Sequence, residues 1–294
     1  MTLRDTHHLE LRITDSAYPE QLRSIDDPPE TLYVIGDPEA LRMGLAIVGA
    51  RKATPYGVSA ARMFARWAAH AGYPVISGGA IGCDQAAHRS TLDSNGITVA
   101  VMAGGADVVY PRTAAQLLAR VAIEGAVVSE YPWGTVPLGW MFRRRNRLIA
   151  GLSAAVLVVE AGLPSGTLST ADYALAAGRD VLSIPGSIFS PTSRGCNRLI
   201  LQGARPITDS SDLRDALLDS LGPPASDRPW VADDAETARD SLVAALYANP
   251  MRADDAAEAL GLDTVAVLRR LGALESRGVV RRYPDGRYGP GARS

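Results

Sequence analysis

From Leu45 to Ile207 the chain alternates two patterns. Short runs that are apolar at every position are followed by stretches whose apolar residues recur at three- and four-residue spacing. The first pattern suits a strand buried on both faces, the second an amphipathic helix. Strands are expected at Leu45–Val48, in YPVISGG, at Ile97–Ala103, in AVVSEYP, AAVLVVEAG and DVLSIPG, and at Arg205–Ile207. Helices are expected between them: Gly57–Ala71, Cys83–Ser94, AAQLLARVAIEG, RNRLIAGLS, SGTLSTADYALAAG and GCNRLILQGA. Residues 1–40 add a short helix at Glu20–Ser24, a break at Pro28-Pro29 and a strand at Leu32–Ile35. This alternation, with short connections, predicts an α/β fold built on a Rossmann-like, doubly wound parallel sheet. In such sheets ligands bind at the carboxyl ends of the strands. The segments GARKATPYG, SGGAIGCD, AGGADVVYP, SEYP, VEAGLPSGT and IPGS all follow strands, so they are expected on one rim.

Periodicity is lost between Asp219 and Glu236, where Pro and Asp accumulate. Residues 219–235 read as a linker between a large domain, 1–218, of which 1–40 form an N-terminal extension, and a small one, 236–294. In the small domain ETARDSLVAALYANP, RADDAAEALGL and DTVAVLRRLGALESRGVV read as helices, the last with Asp263 as N-cap. VVRRYPDGRYG has hairpin chemistry with Asp285-Gly286 at the turn. Three helices and a hairpin make a winged helix-turn-helix.

Composition narrows the class. The 294 residues are 47% hydrophobic and 21% charged, with a formal net charge of -2. That describes a globular protein with a sizeable core and about two domains. No apolar run approaches the ~20 residues of a membrane span. The polar N-terminus has no signal-peptide core, so a cytoplasmic location with no membrane contact is the expectation. Cys83 and Cys196 are isolated, and His7, His8, His70 and His88 show no metal-ligand spacing. No cofactor or metal is therefore expected, and His7-His8 reads as a solvated end.

Against this acidic background FRRRNR, Phe142 to Arg147, concentrates positive charge: Arg143, Arg144, Arg145 and Arg147 surround Asn146. Arginine forks bind phosphate bidentately, and an adjacent Phe142 offers a surface on which a base can stack. A solvated basic turn paired with distant acids is the plainer alternative. Arg51 and the lone lysine, Lys52, lie just past a strand end in GARKATPYG, beside Gly49. In SGGAIGCD, Gly78 and Gly79 allow backbone N–H groups near phosphate or simply make a tight turn; their spacing with Gly82 is not GxGxxG. Ser165, Gly166 and Thr167 form another candidate anion-binding helix start, or an ordinary cap. No Ser/His/acid arrangement is visible; Glu130 and Glu160 follow strands and serve either as bases or as partners of arginines. In the small domain Arg269, Arg270, Arg277, Arg281, Arg282, Arg287 and Arg293 outnumber Glu275 and Asp285, whereas Asp254, Asp255 and Glu258 make an acidic end. Weak DNA binding and protein contact remain open for it.

The ordered set YPEQLRSIDDPPETLYVIG, IVGARKATPYG, SGGAIGCDQAAH, AGGADVVYP, SEYPWGTVP, FRRRNRLIAGLS, VLVVEAGLPSGTLSTADYALAAGRDVLSIPG and GCNRLILQGA resembles the DNA-processing protein A (DprA/Smf) family over about residues 15–210. That resemblance implies an extended Rossmann domain binding single-stranded DNA, homodimerisation, and loading of a RecA-type recombinase during DNA uptake and transformation. It implies no catalysis. It assigns phosphate-facing roles to Gly49, Arg51, Gly78, Gly79 and the Arg145, Asn146, Arg147 segment, and stacking to Phe142. The chain departs from the family where Ile81-Gly82-Cys83-Asp84 replaces the usual Arg-Gly-Ile-Asp, where Arg143 replaces a usual Pro, and where Val136 to Met141 lacks a basic residue. A nucleotide hydrolase of phosphoribohydrolase type, with Glu160 as catalytic acid, and a non-catalytic adaptor working through its winged helix are the competing readings.

Overall fold

The computed structural model describes residues 3, 6–225 and 240–291. The chain divides into two compact units, taken in turn.

The large unit is built on a nine-stranded sheet. Its strands are β1 (His8–Arg12), β2 (Thr31–Gly36), β3 (Gly44–Val48), β4 (Val75–Ser77), β5 (Thr98–Val101), β6 (Ala126–Ser129), β7 (Ser153–Val158), β8 (Asp180–Ser183) and β9 (Arg205–Pro206). The spatial order is β1-β2-β6-β5-β4-β3-β7-β8-β9. From β6 to β9 all neighbours are parallel, whereas β1 pairs β2, and β2 pairs β6, antiparallel. The expected parallel sheet is therefore present and carries an antiparallel edge. The chain moves outward from β3 to β6, returns to β7 on the other side of β3, and continues outward to β9. This reversal opens a crevice beyond the carboxyl ends of β3 and β7.

Helices α1 (Glu20–Arg23), α2 (Pro55–His70, of which residues 60–70 belong to this unit), α3 (Cys83–Asp93), α4 (Ala115–Glu124), α5 (Met141–Leu152), α6 (Leu168–Ala176), α7 (Arg194–Leu201) and α8 (Ser210–Leu221) complete the unit. Both sheet faces are covered, and the side-chain period of two shows it. Leu32 and Val34 of β2, Val99 and Val101 of β5 and Val128 of β6 pack with Leu22, Leu148, Ile149 and Leu152 on one face. Ile35, Ala100 and Val127 point the other way, to Leu117, Leu118 and Val121 of α4.

Three expectations change here. The N-terminal residues are not merely a solvated end: His8 starts the edge strand, and its ring stacks on Trp133 at 4.9 Å. The helix expected from Arg145 begins at Met141, so the whole basic segment is helical. The expected linker starts inside α8, which runs to Leu221, and residues 226–239 lie outside the described residues.

In the small unit, α9 (Ser241–Ala248), α10 (Ala253–Leu260) and α11 (Thr264–Ser276) precede a hairpin of β10 (Val280–Arg282) and β11 (Tyr288–Pro290). Asp240 caps α9 by accepting from Leu242 and Val243 N–H, and Asp263 caps α11 by accepting from Ala266 N–H at 2.9 Å. Leu242, Leu246, Val267, Leu271, Leu274 and Val280 form its core. This is a winged helix with Gly286 at the wing's turn; Arg293 lies outside the described residues.

Candidate nucleic-acid interface

The crevice at the β3/β7 reversal is an open cleft of about 770 Å³. One wall is the segment after β3, Val48 to Lys52. A second is the segment before and within α6, Pro164 to Thr170. The floor and third wall come from α5. The positions of α5 that line the cleft are Phe142, Arg143, Arg145, Asn146 and Ile149. Phe142, Arg145, Asn146 and Ile149 follow the i, i+3, i+4, i+7 stripe of one helix face.

Helical phase thereby divides the arginines of FRRRNR. Arg143 is exposed, lines the cleft and makes no ion pair among the described residues. Arg144 and Arg147 point to the other side. Arg147 Nη2 donates to Glu130 Oε2 at 2.6 Å and its Nε lies 3.3 Å from Asp27 Oδ2; Arg144 pairs with the same two carboxylates at 3.3 and 3.0 Å. The Arg147 and Glu130 side chains are 7% and 8% exposed, so this pair is part of the interior. Glu130 thus fixes arginines.

Arg145 is buried beneath the glycine-rich turn after β4. Its Nη1 donates to the carbonyls of Gly78, at 2.8 Å, and Val101. Burial lowers its pKa to about 10, leaving it charged at neutral pH. The nearby carboxylate is Asp84, also buried, which accepts from the N–H groups of Gly78 and Ala80 at 3.1 and 3.3 Å. Burial raises the Asp84 pKa, and Arg145 and these N–H groups oppose the rise. His88 on α3 is pushed down to about 3, by burial first and then by Arg145, so it is neutral at physiological pH. Gly78 and Gly82 of this turn are required by close packing. A Cβ on Gly78 would stand 2.6 Å from Arg145 Nη2; one on Gly82, whose φ is +96°, would stand 2.2 Å from the Ala50 carbonyl oxygen.

The cleft brings together Gly49, Arg51, Lys52, Phe142, Arg143, Arg145, Asn146, Ser165, Gly166 and Thr167. Gly78 and Gly79 are buried below it, and Arg144 and Arg147 face away. Of the six strand-following segments expected on one rim, GARKATPYG, SGGAIGCD and VEAGLPSGT supply cleft residues. AGGADVVYP reaches it through the Tyr110 ring, 5.2 Å from Phe142; Glu130 of SEYP turns to Arg144 and Arg147; in IPGS, Gly186 exchanges hydrogen bonds with Asn197. Thr167 donates to the Gly49 carbonyl at 3.1 Å and Asn146 Nδ2 to Ser169 Oγ at 2.9 Å, tying the walls together. Asp84 and Ile149 are lining residues that sequence reasoning did not single out, because both read as helix interior. The cleft's exposed charged side chains are Arg51, Lys52 and Arg143; its single carboxylate, Asp84, is held by backbone N–H groups. The surface suits an anion with an apolar or planar part, since Phe142 lies among the cations. Glu160 is 3% exposed and does not line the cleft, which leaves the hydrolase reading without a placed acid. Among the described residues no cluster of His, Cys, Asp and Glu is arranged to hold a metal ion, and no helix is long and apolar enough to cross a membrane.

The family model for DNA recombination-mediator protein A matches residues 10–218, the sheet-bearing unit that carries this cleft. The chain belongs to the DNA recombination-mediator protein A family. The model of the DprA winged helix domain matches residues 224–286. Curated relatives include protein Smf of Escherichia coli, 37% identical across 95% of this chain and 76% of its own length, and DNA processing protein DprA of Bacillus subtilis, 39% identical across 70% of each. Among solved structures, DNA processing protein A of Streptococcus pneumoniae superposes with a TM-score of 0.68 at 36% identity, covering 72% of this chain and 74% of that one. DNA processing protein A of Helicobacter pylori, whose single-stranded DNA binding mode has been described, gives 0.66 at 29% identity, covering 74% and 99%. The family read from the motifs is thus the family the chain belongs to.

Proposed function

We propose that this member of the family is a single-stranded DNA-binding recombination mediator. It protects DNA strands and loads a RecA-type recombinase onto them during DNA uptake and transformation, acting as a cytoplasmic homodimer and without catalysis. The recombinase, the dimer and the cellular setting follow from the family reading. The observation that carries DNA binding is the charge of the cleft at the β3/β7 reversal. Arg51, Lys52 and Arg143 are exposed there around Phe142, and its single carboxylate is buried and bonded to backbone N–H groups. Phosphates are held by Arg51, Lys52 and Arg143, with Asn146, Ser165, Gly166 and Thr167 as polar neighbours. Arg145 acts from below by holding the Gly78 carbonyl in place, and Arg144 and Arg147 hold α5 against Glu130. The reading divides the chain into a DNA-binding domain, a linker and a winged helix that contributes separately.

Binding of single- and double-stranded oligonucleotides across a salt series tests it. Single-strand affinity should fall steeply with salt, because each neutralised phosphate releases counterions, and should exceed duplex affinity. Replacing Arg51, Lys52 and Arg143 together by alanine should flatten the slope by about 2 units, at roughly 0.7 per contact. A slope unchanged in the triple variant would sink the proposed site.

A further inference from the structure

The chain has three phenylalanines. Phe64 is in the core, and Phe142 lines the cleft, where it is placed to take a base. The third, Phe189, is 89% exposed, more than any other large apolar side chain among the described residues. Single exposed apolar residues are ordinary; the position of this one is not. It belongs to residues 184–193, between β8 and α7, so it lies on the carboxyl rim that also forms the cleft. Three residues on, Thr192 lines the cleft itself, which leaves at most about 11 Å of chain between them. The loop is fastened to the cleft wall. Gly195 N–H donates to the Ala161 carbonyl at 2.7 Å, and a Cβ on Gly162, another lining residue, would stand 3.4 Å from the Pro191 carbonyl oxygen. Its tip is braced: Phe189 N–H donates to Ser187 Oγ at 3.2 Å, Ser190 N–H to the Ser187 carbonyl at 3.0 Å, and the Ser190 and Thr192 hydroxyls share a hydrogen bond of 2.9 Å. A fixed turn thus holds an aromatic ring out in solvent beside the cleft. The charge of the segment agrees. Residues 181–208 contain no Asp or Glu, and Arg194, which opens α7, is exposed and makes no ion pair among the described residues. Surfaces that bind single strands combine cations along the backbone with aromatic rings on which successive bases stack.

We infer that Phe189 is a second base-stacking site, which takes an unpaired base beyond the one at Phe142, and that Arg194, five residues on, holds phosphate further along the same exit. This rests on the single-stranded DNA reading and deepens it: a strand seated in the cleft leaves over the loop after β8 towards the start of α7. Duplex DNA keeps its bases stacked on one another and leaves Phe189 without a partner, so the residue adds to the preference for single strands.

The test uses the full chain and two fluorescent oligonucleotides of equal length, oligo-dT and an abasic strand with the same phosphates, measured by anisotropy. Phe189→Ala should weaken oligo-dT binding on the order of 10-fold and leave abasic binding unchanged, which also reports an intact fold. Phe189→Leu, which keeps apolar bulk without a π-face, should lose as much as the alanine variant, and Phe189→Trp should keep wild-type affinity. Arg194→Ala should weaken both strands and flatten the salt slope by roughly 0.7. Oligo-dT affinity unchanged in Phe189→Ala, an equal loss on both strands, or full affinity in Phe189→Leu would each overturn the inference. A loss of self-association in sedimentation with no change in oligo-dT affinity would overturn it in favour of a contact between copies of the chain. Failure of wild type to bind either strand at low salt would instead overturn the underlying DNA-binding reading.

Discussion

Replacing Arg145 by Met should damage the fold rather than the charge of the cleft. Arg145 is 4% exposed, donates to the carbonyls of Gly78 and Val101, and is the cation nearest the buried Asp84 carboxylate in electrostatic effect. Met fills similar volume but leaves those carbonyls and Asp84 uncompensated. Breaking a buried charge pair by removing one member costs about 3–5 kcal/mol. With a urea slope of about 3 kcal/mol/M the midpoint should fall by about 1–2 M. The deficit should depend on pH with a definite sign. Burial already holds the Asp84 pKa above its ordinary value in the native state, so the native state binds more protons than the unfolded chain between those two values. Stability from this group therefore falls as pH rises through that interval. Without Arg145 the native pKa rises further and the interval widens. The variant should accordingly be most handicapped at neutral pH and recover on acidification, once Asp84 is protonated in both states. Urea unfolding by far-ultraviolet circular dichroism at several pH values measures this. A midpoint within about 0.2 M of wild type at neutral pH, or a deficit that grows towards acid, would refute the reasoning.

Glu130→Ala should cost a similar ~3–5 kcal/mol, because it leaves the buried Arg147 without its 2.6 Å partner; Asp27→Asn, at an exposed carboxylate, should cost less than about 1 kcal/mol. Thermal melts separate the two, and comparable losses would contradict the placement of Arg147. Gly78→Ala should shift the urea midpoint in the same direction as Arg145→Met but less, since overpacking costs about 1–3 kcal/mol and the added Cβ meets the Arg145 guanidinium. An Arg143→Ala variant should melt like wild type while binding oligo-dT more weakly; a lower melting temperature would give Arg143 a structural role it lacks here. Asp263→Ala should destabilise the winged helix by about 1 kcal/mol through loss of the cap on Ala266 N–H, read in the isolated transition of that unit by differential scanning calorimetry.

The strands of the sheet centre were legible because they are buried on both faces. Leu45–Val48 and Ala154–Val158 carry no polar side chain at all, and runs that short, with glycine closing the first, suit a doubly buried strand better than a helix. The edge strand was not legible, since HLELR turns only Leu9 and Leu11 inward and is five residues long. Most of the cleft was also readable, because its residues follow strands and the carboxyl rim collects them. The roles of the arginines were not. Arg145 finds its acceptor 67 residues away at Gly78, and Arg147 its carboxylate 17 residues away at Glu130. A run of like charges says that cations are present; only the three-residue phase of α5, which began four residues earlier than expected, decides which of them reach the cleft. Charge reversal at Arg145 and Arg147 therefore probes folding, and Arg51, Lys52 and Arg143 are the positions that probe DNA.

Hydrogen–deuterium exchange of the full chain with and without a saturating oligo-dT strand tests the location of the site most directly. Exchange should slow in residues 49–53, 78–82, 139–146 and 164–170, the segments that wall and underlie the cleft. Protection confined to residues 264–288 of the winged helix, with those segments unchanged, would contradict it.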